Sequence, residues 1–257
     1  MSVYELGPPY ETFQLIKAAP AASANSPPPG TIIAARPGLD CTWDSVKESV
    51  EDLERRFLTA SIALRTDLLP REQASSFASR ARTLGVCCVL PRPVPSADSL
   101  REQLTDLSDL PDRVVRWLRI AGFPIDREAG FAIRTMLVGA TQRSTLAGVR
   151  RDRAVGRRSW QQRFKRLGLA SPSRWFEVFH SLHVFLAVQT RPHSTVEKTA
   201  EHLGYNDAAA LRRVFRTYVG EPPSVARSLL GWKWMVHEAM CRSGFSPPRR
   251  GVGVAGS

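Results

Sequence analysis

Short apolar runs alternate with stretches of helical periodicity between residues 31 and 124. The runs cover 31–35, 61–64 and 86–90. Helical spacing follows each run, first in a face made by Trp43, Val46, Val50, Leu53 and Phe57, then over 71–84, and then after a capping box at Ser99 and Glu102. Because each parallel crossover needs a helix to bring the chain back, this alternation predicts an α/β fold, a small parallel sheet packed with helices.

The flanking segments have a different composition. Residues 1–30 are rich in Pro, Ala and Ser, which predicts a flexible leader, and 246–257 contain the Gly and Pro of a flexible tail. Pro111 begins one more helix, which Gly122 and Pro124 end. We therefore predict an α/β domain over 31–124 and an all-helical domain over 129–245, in which Trp232, Trp234 and Met240 belong to a packed terminal helix.

Two short helical patterns meet at a turn within residues 194–227. Ser194 and Glu197 match a capping box, and the first apolar face consists of Val196, Thr199, Ala200 and Leu203. Gly204 can end that helix. After a cap at Asn206 or Asp207, the same spacing returns in Leu211, Val214, Phe215 and Tyr218. Two short helices that share a core through a glycine-containing turn are typical of a helix-turn-helix.

The opposite face of the second helix carries the candidate binding residues. If Leu211 and Phe215 point inward, the residues that turn outward or flank that face are Ala208, Ala209, Arg212, Arg213 and Arg216, with Asn206 just before them. Alanines at the start of the helix make it narrow enough to enter a major groove, where arginines can reach base edges or phosphates.

A fainter copy of this outline lies about fifty residues upstream. Its apolar positions are Trp160, Phe164 and Leu167, and its outward positions are Arg157, Arg158, Gln161, Gln162 and Lys165. Between the two units, Trp175, Phe179, Leu182 and Leu186 form the stripe of a longer connecting helix. Two such units on one support could address successive major grooves. Whether the first unit contacts bases or only phosphates is left open.

The charge distribution favours a polyanionic partner. The chain has 257 residues and a formal net charge of +12. Residues 1–128 hold 15 Lys and Arg against 17 Asp and Glu, whereas residues 129–257 hold 21 against 7. All the excess is therefore C-terminal, as expected of a nucleic-acid binder. A membrane surface is less favoured, since the basic residues form no single amphipathic helix with a bulky apolar face.

The C-terminal part resembles the DNA-binding domain of the AraC/XylS family of transcription regulators over roughly 130–230. The second unit matches the family pattern in order and spacing at Ala200, Leu203, Gly204, Tyr205, Leu211, Phe215, Gly220, Pro223 and Arg227. In the first unit, 157–165 are similar to the family's first recognition helix, and 171–175 to the start of its connector. The resemblance implies a bacterial regulator that binds double-stranded DNA through two helix-turn-helix units.

The N-terminal domain contains fewer candidate functional residues. It faintly resembles a response-regulator receiver, but the first strand ends without the acidic pair that a receiver needs, and the lone Asp67 is more typical of a turn or cap. We expect it to sense an unidentified effector or to form a homodimer, rather than to accept phosphate.

Other classes of protein are disfavoured. We find no glycine-rich phosphate loop, nucleophile elbow or metal-ligand spacing, so we expect no enzyme activity, no metal and no cofactor. The four cysteines suit neither a disulfide framework nor a zinc site, and the adjacent Cys87 and Cys88 are explained as small buried thiols. No apolar run is long enough to span a membrane, so we expect a cytoplasmic, nucleoid-associated protein. A sequence-independent architectural DNA-binding protein is the alternative function.

Overall fold

The computed structural model describes residues 1–8, 10–16, 27–90, 96–106, 108–141, 146–152 and 157–245. The strands are β1 (Ser2–Leu6), β2 (Gln14–Leu15), β3 (Ile32–Arg36), β4 (Ser61–Arg65) and β5 (Cys88–Leu90). The helices are α1 (Trp43–Arg56), α2 (Arg71–Thr83), α3 (Ala97–Leu104), α4 (Leu110–Ile120), α5 (Arg127–Thr141), α6 (Leu146–Asp152), α7 (Arg157–Arg166), α8 (Pro172–Gln189), α9 (Val196–His202), α10 (Ala208–Tyr218), α11 (Pro223–Ser228) and α12 (Lys233–Arg242). The predicted tail over 246–257 lies outside the described residues.

The described strands form one mixed sheet in the order β2-β1-β3-β4-β5. The three predicted strands are parallel, with Ile33 opposite Ile62 and Ala63 opposite Cys88. The structure adds β1, which runs antiparallel to β3 and places Val3 opposite Ala35. The sheet is therefore a small parallel one extended by an antiparallel edge.

The prediction of a flexible leader over 1–30 is wrong for β1 and β2, which are strands of the sheet. β1 lies within the sheet, β2 pairs with it, and the side chain of Tyr10 is buried. The Tyr10 hydroxyl donates to the carbonyl oxygen of Gly30 at 2.9 Å and accepts from the amide of Leu230 at 2.8 Å. Composition suggested an extended leader, but pairing with β3 supplies the hydrogen bonds that such a segment lacks alone. Residues 17–26 lie outside the described part.

Both faces of the sheet are covered. Strand side chains alternate, so Ile33 and Ile62 pack towards α1 and α2, whereas Ile32 and Ala63 pack towards α3 and Leu230. Burial on both faces explains why the parallel strands are continuous apolar runs in the sequence.

Helix α4 packs with the C-terminal helices. Val114 and Leu118 share a core with α5 and α8. The hydrophobic core is therefore continuous across the domain boundary predicted near residue 124. Helix α8 lies at the centre of this core and is buried nearly all round, beyond the predicted stripe. Trp232, Trp234 and Met240 are buried, as the predicted packed terminal helix requires.

Buried polar contacts join the sheet layer to the helices. The Lys233 ammonium lies 3.1 Å from one carboxylate oxygen of Glu54, and Arg116 lies 2.8 Å from the other. Arg101 of α3 donates to the carbonyl oxygen of Arg227 at 2.8 Å. The two parts of the chain are thus in direct contact through charged groups as well as apolar ones.

Asp67, the one acidic residue considered as a phosphate acceptor in a receiver-like domain, forms ion pairs. Its side chain is fully buried and lies 2.6 Å from Arg65 and 3.9 Å from Arg36. The side chain of Arg65 also stacks on the rings of Tyr4 and Phe13. This arrangement accounts for an aspartate after β4 without phosphate chemistry.

Within the described residues, no helix combines the length and the apolar character that crossing a membrane requires.

Candidate nucleic-acid interface

Helices α9 and α10 form a pair joined by a tight turn. The N-cap of α9 is Thr195, whose hydroxyl accepts from the amide of Lys198 at 3.2 Å, so the predicted cap at Ser194 is wrong by one residue. Gly204, with φ of 74°, lies in the turn, where a left-handed backbone favours glycine. Asp207 caps α10 by accepting from the amide of Ala210 at 2.6 Å, which is one of the two predicted caps.

The inward face of α10 follows the predicted spacing. Leu211 and Phe215 are fully buried, whereas Val214 and Tyr218 are half-buried against the same core. The ring of Phe215 meets that of Phe185 on α8 at a centroid distance of 4.8 Å and an angle of 63°. Because α10 is fixed through this face, the rotation of its other face relative to the core is fixed too.

The outward face of α10 is basic and exposed. The exposed residues are Asn206, Ala209, Arg212, Arg213 and Arg216, while Ala208 is half-buried. Arginine carries five N–H donors in a planar fork, a geometry suited to phosphates and to the edge of guanine. This face can therefore donate several hydrogen bonds to an anionic partner whose groove is wide enough to admit a helix.

One of these arginines already has a partner within the chain. Arg212 lies 2.9 Å from a carboxylate oxygen of Glu197 on α9, and both side chains remain more than half exposed. A hydrogen bond with its own backbone amide and the charge of Arg212 lower the pKa of Glu197. Local spacing does not reveal this pair, because the two residues are fifteen positions apart and meet only when the helices pack.

Helix α7 presents a second polar surface. Trp160 and Phe164 are buried and Leu167 is half-buried, as predicted, whereas Gln161, Gln162 and Lys165 are exposed. Arg157 and Arg158 begin the helix, but their side chains lie outside the described part of the structure. Residues 153–156, between α6 and α7, lie outside it as well.

Arg163 anchors α7 to α5. Its guanidinium pairs with Asp126 and lies 3.3 Å from a carboxylate oxygen of Glu128. Asp126 also accepts from the amide of Ala129 at 2.8 Å, and this hydrogen bond together with Arg163 lowers the pKa of Asp126. Arg163 is therefore a structural contact rather than part of the outward surface of α7.

Helix α8 supports both α7 and α10. It contacts each of them, and Trp175, Phe179 and Phe185 lie at the centre of the shared core. Its 18 residues correspond to a length of about 27 Å. Gln189, at its C-terminal end, is fully buried and donates to the backbone carbonyl groups of Ala226 and Leu229. This end of α8 is thus tied to α11, next to the second helix pair.

Comparison with known proteins gives no match: no family model, no curated protein and no solved structure shows significant similarity to this chain.

Proposed function

We propose that this protein is a sequence-specific DNA-binding transcription regulator with two helix-turn-helix units. The observation that carries the proposal is the exposed row of Arg212, Arg213 and Arg216 on α10, opposite a face fixed by Leu211 and Phe215. In this proposal α9 and α10 form the second unit, and α10 is its recognition helix.

Helices α6 and α7 form the first unit in this proposal. Gln161, Gln162 and Lys165 of α7 supply amide and ammonium groups on its exposed side. Lys165 contributes mainly a point charge towards a phosphate, whereas the planar forks of the α10 arginines can discriminate between bases. We therefore assign more of the base discrimination to α10 and more of the salt-dependent affinity to α7.

The length of α8 supports a partner that spans two grooves. Successive major-groove faces are about 34 Å apart along the duplex. A connector about 27 Å long, which contacts α7 and, through Phe185, α10, has a length of the same order as this spacing. We infer a binding site that extends over two successive major grooves.

The charge distribution and the family resemblance support the same function. The half of the chain that contains α7 and α10 holds the whole excess of basic residues. The AraC/XylS-like pattern assigns recognition to the same two helices. The sheet layer is proposed to sense an effector or to form the homodimer contact, because its described residues contact the helical part through α1, α3 and Tyr10.

Selection of bound duplexes from a random pool, with the intact chain, tests the proposal. We expect a selected duplex to bind at least about a thousandfold more tightly than random DNA at the same salt concentration. An almost equal affinity for all duplexes would instead support the sequence-independent architectural alternative.

Two variants then test the division between α10 and α7. Arg212→Ala should weaken binding to the selected duplex by about 1–3 kcal/mol and relax the preference at one part of the site. Lys165→Ala should weaken binding similarly on all duplexes and reduce the slope of log K against log salt by about 1. Lys47→Ala removes an exposed charge from α1 and is the matched control. Equal losses on every duplex for both variants would contradict the division.

A further inference from the structure

The adjacent thiols of Cys87 and Cys88 converge at the edge of the sheet. Their sulfur atoms are 3.8 Å apart, although neighbouring side chains in a regular strand point to opposite faces. Cys88 is the first residue of β5, and Cys87 lies just before the strand, where the chain enters the sheet. The amide and the thiol of Cys87 both lie 2.8 Å from the carbonyl oxygen of Ile62. These contacts fix Cys87 beside β4 and hold the two sulfur atoms together.

Both cysteines line a cavity of about 420 Å³. Its other walls come from α2, from the residues before and within β5, from α3 and the start of α4, and from the segment between those two helices. The side chains there are Ala78, Ser79, Val86, Val89, Gln103, Asp106, Ser108, Asp109 and Arg113. The Gln103 side chain accepts from the amide of Val89 at 3.3 Å and thereby covers the free edge of β5. Cys88 is buried beside Leu90 and Leu100, as predicted, and Cys87 is half-buried. The pair therefore lies where the core meets a cavity that is large enough for a small organic group.

The separation of the sulfur atoms suits a bridging atom better than a direct bond. A disulfide needs a sulfur separation of about 2.05 Å, so the pair would have to close by almost half. Two sulfurs bound at about 2.3 Å to one centre are about 3.8 Å apart when the centre is tetrahedral and about 3.3 Å apart when it is pyramidal with angles near 90°. The observed distance therefore admits a bridging atom with a shift of about half an ångström or less, far less than a disulfide would need.

The number of ligands limits the occupant. Among the described residues, no group of three or more Cys, His, Asp or Glu side chains is arranged to hold a metal ion. A structural zinc ion takes four protein ligands, so two thiols alone do not complete such a site. A centre that needs two sulfurs from the protein and already carries one organic substituent fits both the thiols and the cavity. Soft thiolate sulfur favours soft, thiophilic elements.

We propose that Cys87 and Cys88 form a dithiol site for a trivalent arsenical carrying one organic group, and that the cavity beside β5 receives that group. In the reaction with an organic arsenoxide, two arsenic–sulfur bonds form and the arsenic–oxygen double bond breaks. The two thiol protons leave with the oxide oxygen as one molecule of water, and no atom changes its oxidation state. The hydrogen bond with Cys87 and burial raise the pKa of Cys88 well above its usual value, so that proton is present to leave with the oxygen.

Phenylarsine oxide and intact-mass spectrometry of the full chain test the proposal. We expect one phenylarsenic group per chain, with the loss of two hydrogens, that survives excess monothiol and is removed by dithiothreitol. Cys87→Ser and Cys88→Ser should each abolish the monothiol-resistant adduct. Cys41→Ser and Cys241→Ser are the matched controls and should retain it, since these cysteines lie away from the pair. Retention of the adduct by Cys88→Ser, or its absence from the native chain, would overturn the proposal.

Two further measurements complete the test. Alkylation of the unsubstituted chain replaces the serine variants if these do not fold, and tryptophan variants test the role of the cavity. When the native chain is treated with phenylarsine oxide and then unfolded in urea, Cys87 and Cys88, but not Cys41 or Cys241, should be protected from alkylation by iodoacetamide. Ser79→Trp narrows the cavity and should slow capture at least severalfold, whereas Ser76→Trp, on the same helix but not in the cavity wall, should not. Unprotected cysteines would refute the site, and equal rates for the two tryptophan variants would refute the assignment of the cavity.

Discussion

Replacing Glu54 with Gln tests the buried charged contact between α1 and α12. The ammonium of Lys233 and the carboxylate of Glu54 are 3.1 Å apart, and their side chains are only 4% and 3% exposed. Glu54→Gln keeps the shape of the side chain but leaves the Lys233 ammonium buried without a counter-charge. Removing one partner of a buried pair costs about 3–5 kcal/mol, because the remaining charge cannot be hydrated.

The expected shift in melting temperature follows from the size of the protein. For domains of 150–250 residues, each kcal/mol corresponds to about 2–4 °C, so Glu54→Gln should lower the melting temperature by about 6–20 °C. Adding Lys233→Met removes the stranded charge, and the double variant should regain at least about 2 kcal/mol relative to Glu54→Gln alone. Arg116 keeps a hydrogen bond to the carbonyl oxygen of Thr83 at 3.0 Å in both variants.

Urea unfolding followed by circular dichroism measures these differences. The matched control is Asp52→Asn, which breaks an exposed pair with Arg56 on the same helix and should cost less than about 1 kcal/mol. A double variant less stable than Glu54→Gln would show that the stranded ammonium is not the origin of the loss. A cost for Glu54→Gln as small as that of Asp52→Asn would show that the pair is hydrated.

Two other predictions concern backbone conformation and pH. Gly220 has a φ of +84° and a Cβ there would lie 2.2 Å from Nη2 of Arg242, whereas Gly168 has a φ of +66° and open space around it. Gly168→Ala should cost about 1–2 kcal/mol in urea unfolding from its backbone conformation alone, and Gly220→Ala should cost more because the Arg242 side chain must also move. A greater loss at Gly168 would contradict the steric part. Burial lowers the pKa of His180 and of His237 in the folded chain. Below about pH 6.5 the unfolded chain therefore binds more protons than the folded chain, and the free energy of unfolding should decrease as the pH is lowered. Replacing both histidines with Gln should flatten the unfolding free energy between pH 7.5 and 5.5, and a curve parallel to that of the unmodified chain would reject this origin.

The local sequence pattern was sufficient to predict strands and helix faces where the spacing of apolar residues within a segment decides which of them are buried. The runs at 31–35, 61–64 and 86–90 coincide with the parallel strands to within a few residues, and the spacing of Leu211 and Phe215 correctly gave the inward face of α10. It gave the outward position of Arg212 and Arg216 for the same reason, since opposite faces of one helix differ by a fixed rotation. The binding of DNA by those residues remains a prediction.

Sequence pattern failed where a residue's partner lies far along the chain. The proline-rich composition around β1 gave no sign of a strand, because the hydrogen bonds of β1 are made with β3, about thirty residues later. Nor did spacing reveal that Arg163 is held by Asp126 and Glu128. Both outcomes depend on which elements pack together.

The sequence by itself determined the apolar and polar faces of the helices and some of their ends, such as the cap of α10 at Asp207, because periodicity and capping act over a few residues. The capping boxes predicted at Ser99 and Ser194 are wrong, since the observed N-caps are Ser96 and Thr195. Only the tertiary structure decided that β1 joins the sheet, that Cys87 and Cys88 open onto a cavity, and that Glu54 meets Lys233 across 179 positions. Contacts over such distances are set by the packing of whole elements, and the residues between them carry no local signal of the meeting.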